Sequence, residues 1–123
     1  MRINSVNNQC FGKIYIAECC KDRARDVIRN FRNESPEYDK TIDYIKYNND
    51  SANIWIDNFG KVDYQIWELG ARVNTDEMAG RKEGYYLSSF RERLRFALDE
   101  ISRLDRREIE KFSKPKEAGE EDF

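Results

Sequence analysis

The sequence contains no histidine. That removes the side chain that most often serves as a general base near neutral pH, and with it the usual serine and cysteine triads. Cysteine is scarce as well, with only Cys10, Cys19 and Cys20. Without histidine these three fall short of a standard four-ligand zinc site. Being odd in number and partly adjacent, they do not make a disulfide framework either. Reduced thiols in a cytoplasmic chain are the expectation. No apolar run approaches the roughly 20 residues of a membrane helix, and residues 1–8 lack the apolar core of a signal peptide. No Walker or dinucleotide glycine motif occurs, so no cofactor is expected. Charge of one sign is missing too. The 22 basic and 24 acidic residues leave a net charge of −2, which by itself points to neither nucleic acid nor membrane.

What is present suits a folded domain. The 123 residues are 39% hydrophobic and 13% aromatic, enough for one modest core. A single domain is expected over residues 1–116, followed by a short acidic, disordered tail over 117–123. Phe11 to Cys19 reads as a strand, with Ile14 and Ile16 on one face and Tyr15 and Ala17 on the other. Lys21 to Asn33 reads as a helix, because Ala24, Val27, Ile28 and Phe31 recur at helical spacing. Residues 37–47 support two readings. Ser35-Pro36-Glu37 is a good helix start, whereas Thr41, Ile42, Tyr44, Ile45 and Tyr47 are strand formers. A strand over Thr41–Tyr47 is preferred, since Asn48-Asn49-Asp50-Ser51 then makes a turn into Ile54-Trp55-Ile56. Ala52–Asp57 and Val62–Trp67 alternate about the turn Asn58-Phe59-Gly60-Lys61 and predict a β-hairpin, its second strand continuing past Gly70 to Val73. Residues 74–84 read as an exposed, mobile loop, and Tyr85–Leu87 as a short last strand. Ser89 and Glu92 form a capping box for a long helix carrying Phe90, Leu94, Ala97, Leu98, Ile101, Leu104, Ile109 and Phe112 on one side. Asp105 and Glu108 interrupt that side, so the helix is expected to leave the core after Leu104. The predicted fold is α+β, an antiparallel sheet of four to five strands with two helices on one face, in the order β-α-β-β-β-(β)-α.

Residues with chemistry are few. If the isoleucines face the helices, Tyr15, Tyr47, Trp55 and Trp67 share the opposite face. There they could pack on one another, anchor a protein interface or stack on bases. Phe96 points away from the apolar side of its helix, among Glu92, Glu100 and Arg103, and reads as an exposed contact. Met78, Arg81 and Lys82 sit in the predicted loop. Lys21, Arg25, Arg29 and Arg32 form a stripe on the first helix that could lie against phosphates, although Asp22 and Asp26 dilute it. Asp57, Asp63 and Glu68 could gather a divalent metal for a small nuclease, but acids alternating on a half-exposed sheet usually face water. Cys20, just before a helix, is the one candidate nucleophile.

The run Asp63-Tyr64-Gln65-Ile66, Gly84-Tyr85-Tyr86-Leu87-Ser88-Ser89-Phe90, Leu94 and Ala97-Leu98 resembles small accessory proteins of bacteriophages and mobile elements. In those, a strand pair leads into a Gly-Tyr-Tyr turn and a serine-capped helix with an Ala-Leu pair. The resemblance covers residues 63–98 and carries over no site residue. It implies a non-enzymatic protein acting in the cytoplasm of a bacterial host, where it binds and blocks a host or defence complex as anti-CRISPR inhibitors do. On that reading Trp55, Trp67, Phe96, Met78, Arg81 and Lys82 make the partner contact, with no catalytic or metal-binding residue, no membrane role, and a homodimer compatible with the sequence. The alternatives are a nucleic-acid-binding module using the basic helix stripe, and a small metal-dependent nuclease or ligand-sequestering protein.

Overall fold

The computed structural model describes residues 10–11, 13–48, 51–66, 70–84 and 86–114. Strands β1 (Cys10–Phe11), β2 (Ile14–Ile16), β3 (Ala52–Ile56), β4 (Val62–Ile66) and β5 (Val73–Asn74) form one sheet in that spatial order. The sheet is mixed rather than antiparallel: β2 and β3 run parallel, and the other neighbours antiparallel. The cause lies in what joins β2 to β3. Helices α1 (Lys21–Glu34) and α2 (Pro36–Tyr47) fill the connection, and a long helical crossover brings the chain back in the same direction.

The expected strand over Thr41–Tyr47 is therefore the second half of α2. Ser35 decides the matter locally. Its extended backbone ends α1, its hydroxyl accepts from the Glu37 amide at 3.1 Å, and Pro36 takes the first helical position. Thr41, Ile42, Tyr44 and Ile45 are all buried, so packing overrides their preference for strands. Asn48 closes the helix. Its amide donates to the carbonyls of Tyr44 at 2.9 Å, Ile45 at 2.8 Å and Ala52 at 3.2 Å, and its oxygen accepts from the Ser51 amide.

The β3–β4 hairpin follows the alternation, with Ala52 opposite Ile66 and Ile56 opposite Val62. Asp57 organises its turn by accepting from the amides of Phe59 (2.8 Å) and Lys61 (2.9 Å). Gly60 supplies the left-handed residue at φ 77°, and a Cβ there would touch Phe90. The chain does not continue straight past Gly70 but reverses, so that Val73 pairs with Tyr64 and Asn74 with Asp63.

Residues 75–83 form a helix, α3 (Thr75–Glu83), not a loop. Asn74 caps it by accepting from the Glu77 amide at 3.2 Å, and Gly84, at φ 71°, ends it in the left-handed conformation. Residues 86–89 carry no strand, and Tyr85 lies outside the described residues. Helix α4 (Phe90–Leu104) has Ser89 as its cap, as expected. The Glu92 carboxylate, however, accepts from the amide and hydroxyl of Ser88, both at 2.7 Å. At Asp105 the helix breaks, and α5 (Arg106–Lys111) returns Ile109 to the core instead of leaving it.

One continuous core results. Ile14, Ile16, Ile54, Ile56, Val62, Tyr64 and Ile66 meet Ala24, Ile28 and Phe31 of α1, Ile42 and Ile45 of α2, and Leu94, Leu98 and Ile101 of α4. The opposite sheet face carries Tyr15, Asn53, Trp55, Asp63 and Gln65, each half-buried. Residues 115–123, which include the expected tail over 117–123, lie outside the described residues.

Candidate functional site

The open sheet face owes its geometry to register. Tyr15 lies directly beside Trp55, and Trp55 opposite Asp63. The Tyr15 and Trp55 rings stack with centroids 5.6 Å apart and an interplanar angle of 17°. The reversal after β4 brings Arg72 over the Trp55 ring, its guanidinium carbon 4.2 Å from the centroid. Asp63 fixes that guanidinium through an Arg72 Nε bond of 2.8 Å, and itself accepts from Asn74 Nδ2 at 2.9 Å. Tyr15, Trp55 and Arg72 thus form one row across the sheet. With Lys61, Asp57 and Asp63 they line a shallow depression of about 240 Å³. Beside it, Asp76 accepts from Lys61 at 3.0 Å and Arg93 at 3.1 Å, tying the hairpin to α3 and α4.

The remaining sequence candidates are scattered. Tyr47 belongs to α2 and not to the sheet; its ring lies beneath Lys46 and Lys114. Trp67 and Glu68 lie outside the described residues. Phe96 is not exposed. It retains 9% of its accessible surface and meets Tyr64 edge-on at 6.4 Å. Helix α3 packs along this flank of α4, which a loop over 74–84 would have left open. Met78 packs half-buried against the core. Arg81 is exposed, whereas the Lys82 ammonium donates to Glu100 at 2.9 Å. Glu100 is buried and also accepts from Arg103. Burial alone would raise its carboxyl pKa, but the bonds from Lys82 and Arg103 outweigh that and hold it below the ordinary glutamate range.

The basic stripe on α1 is spoken for. Arg32 pairs with Asp39 at 2.6 Å and Asp43 at 2.9 Å, and Arg29 with Asp26 at 3.3 Å. Lys21 and Arg25 also have partners. Asp57 and Asp63 spend their oxygens on backbone amides, Arg72 and Asn74. Among the described residues, no group of three or more cysteine, aspartate or glutamate side chains is placed to hold a metal.

Sequence reasoning missed two features. Arg72 as the cover of Trp55 was hidden because Gly70 read as part of a continuing strand. The corner between α4 and α5 is the second: a cleft of about 880 Å³ in which Arg103, Arg106 and Arg107 stand around Tyr44 together with the acids Asp105 and Glu108. Asp105 is buried there and accepts from the Tyr44 hydroxyl at 2.9 Å. Burial, with that carboxylate adding to it, pushes the Tyr44 phenol well above its ordinary range.

The geometry is that of an α+β domain with one sheet face that no described helix covers. The chain matches no protein-family model, and neither a curated protein nor a solved structure is similar to it. No helix among the described residues is long and apolar enough to cross a membrane.

Proposed function

We propose that this chain is a non-enzymatic binding protein that occupies a functional surface of a protein partner. The row Tyr15–Trp55–Arg72 on the uncovered sheet face carries that reading. Tryptophan, tyrosine and arginine are the residues that contribute most at protein interfaces, and here they stand together, preorganised by Asp63. Among the described residues beside them, Asp57, Lys61 and Asp63 are engaged within the fold, with backbone amides, Asp76 and Arg72 respectively. The partner class is taken from the resemblance over residues 63–98: a bacterial host or defence complex, blocked in the manner of an anti-CRISPR inhibitor. Trp55 and the exposed Arg81 remain as contacts, and Phe96, being buried, is withdrawn. The test is a nuclease-treated pull-down from bacterial lysate with the wild type and a Trp55→Ala/Arg72→Ala variant. A stoichiometric protein captured by the first and lost by the folded second supports the reading. A catch that disappears with nuclease returns it to nucleic acid.

The cleft at the α4–α5 corner favours a second reading, sequestration of a small anionic ligand. Arg106 and Arg107 line it and have no ion-pair partner among the described residues. Its volume is that of a ligand pocket. Calorimetric titration with ATP separates the two readings, since the sheet face offers no comparable cluster of cations.

A further inference from the structure

Cys19 and Cys20 take no part in either reading, yet their placement is specific. They lie in the 3₁₀ turn Glu18–Cys20 between β2 and α1. Neighbours in such a turn project about 120° apart around the axis. The two Sγ atoms are nevertheless only 3.9 Å apart. Both thiols turn toward the hairpin tip, donating to the Asn58 carbonyl oxygen at 3.6 Å (Cys19) and 3.4 Å (Cys20). Cys20 also reaches the Asp57 oxygen at 3.3 Å. The turn is tied to the sheet at its start by the Ala17 amide on Ile56 O at 2.9 Å and is closed internally by the Cys20 amide on Ala17 O at 3.0 Å. Cys19 is exposed and Cys20 half-buried, so a reagent reaches both.

The sulfur separation is the bite of a chelate. Two thiolates on one ion at a metal–sulfur distance of about 2.3 Å stand roughly 3.8–4.0 Å apart in tetrahedral or trigonal geometry. With no further cysteine, aspartate or glutamate grouped with them among the described residues, and with a bite too short for linear coordination, the pair suits a three-coordinate soft centre that brings its third ligand with it better than zinc with four. We propose that Cys19 and Cys20 form a dithiol site for a thiophilic centre of low coordination number, a cuprous ion or a trivalent arsenical. Ligation requires both sulfurs as thiolates, so binding displaces protons from the pair. With a cuprous ion, two copper–sulfur bonds form and two protons pass to the buffer. With hydrated phenylarsine oxide, two As–S bonds replace two As–O bonds and two waters leave. Neither step changes an oxidation state.

The test uses the reduced full-length chain, titrated with phenylarsine oxide and, separately, with copper(I) against a chromophoric chelator. One equivalent of arsenical is expected to protect Cys19 and Cys20 together from alkylation, read by mass spectrometry, and to leave the alkylation of Cys10 as it is without the arsenical. Cys19→Ser and Cys20→Ser should each weaken binding by about a hundredfold, the loss expected when an intramolecular second contact is removed. Cys10→Ser should change nothing. Copper bound with the same dependence identifies a general soft-ion site; arsenical alone narrows it to the metalloid. Protection of Cys10, independent alkylation of the two thiols, or single variants as tight as the wild type would each overturn the proposal. The alkylation map needs no substitution, so it decides even if a variant fails to fold.

Discussion

Phe96 and Glu100 sit one turn apart on α4 and show how a residue's role follows from what covers it. Both stand on the flank that reads as polar in sequence, and both are buried under α3 with Tyr64 beside them. Phe96→Ala is therefore expected to cost about 3 kcal/mol of stability, the lower end for emptying a buried phenylalanine site. Urea denaturation measures it, and an unchanged midpoint would mean that the flank is open. Glu100 makes a pH prediction of definite sign. Its folded pKa lies below the unfolded value, so its contribution is present above the unfolded glutamate pKa of about 4.3 and is lost as pH falls through the lower, folded one. Asp99 next to it has the opposite sign. Although its side chain is more than half exposed, partial desolvation by its neighbours raises its carboxyl, despite the bond from the Tyr38 hydroxyl and the nearby Arg95, so any contribution declines as pH rises and is small because solvent screens it. Comparison of the wild type with Glu100→Gln isolates the first term. The variant should be less stable near neutrality by about 1.5–3 kcal/mol, the range for charged hydrogen bonds, and the gap should narrow in acid.

At the scale of the element, legibility followed how each element is held. The β3–β4 hairpin was readable because alternation and turn chemistry agree, with Ile54 and Ile56 inward and Asp57 closing the turn. Helices α1 and α4 were readable because each presents one long apolar stripe to the sheet. Helix α2 was not, since its buried face is built from residues that also make strands. Taking it for a strand removed the crossover and hid the parallel pairing of β2 with β3. Helix α3 was not readable for the reverse reason: it has little apolar surface, with Ala79 buried and Met78 half-buried, and its ends define it. The candidate site shares this limit. Tyr15 and Trp55 were visible only as two of four candidate face aromatics, with Tyr47 and Trp67, whereas Arg72 became part of the site only through the reversal at Gly70. If the caps hold α3, Asn74→Ala should lose about 1 kcal/mol, plus whatever the bond to Asp63 adds. Hydrogen exchange should show amides beyond the first turn of residues 75–83 protected in the wild type and faster in the variant. Rapid exchange in both would restore the mobile loop.

For the molecule as a whole, the layers divide the labour. The core residues of the described helices join the isoleucine face in one cluster, and the opposite face presents Tyr15, Trp55 and Arg72. Two of the largest side chains are left to solvent elsewhere, Phe59 at 82% exposure and Tyr86 at 94%. Phe59 crowns the hairpin tip beside the two thiols, so a single partner lying along the hairpin could touch it and the aromatic row together. The two surfaces respond differently to substitution. Trp55 and Arg72 are coupled, because removing either frees the other from its stack, so their effects on binding should not add. Phe59 has no such tie and should add independently. With a partner in hand, each single change in the row is expected to weaken binding by about 2 kcal/mol, as central anchors do. The Trp55→Ala/Arg72→Ala pair should lose clearly less than the sum of its singles, while adding Phe59→Ala should cost its full single value. Additive losses across the row would show that Arg72 and Trp55 meet the partner as separate contacts and that their stack is incidental to recognition.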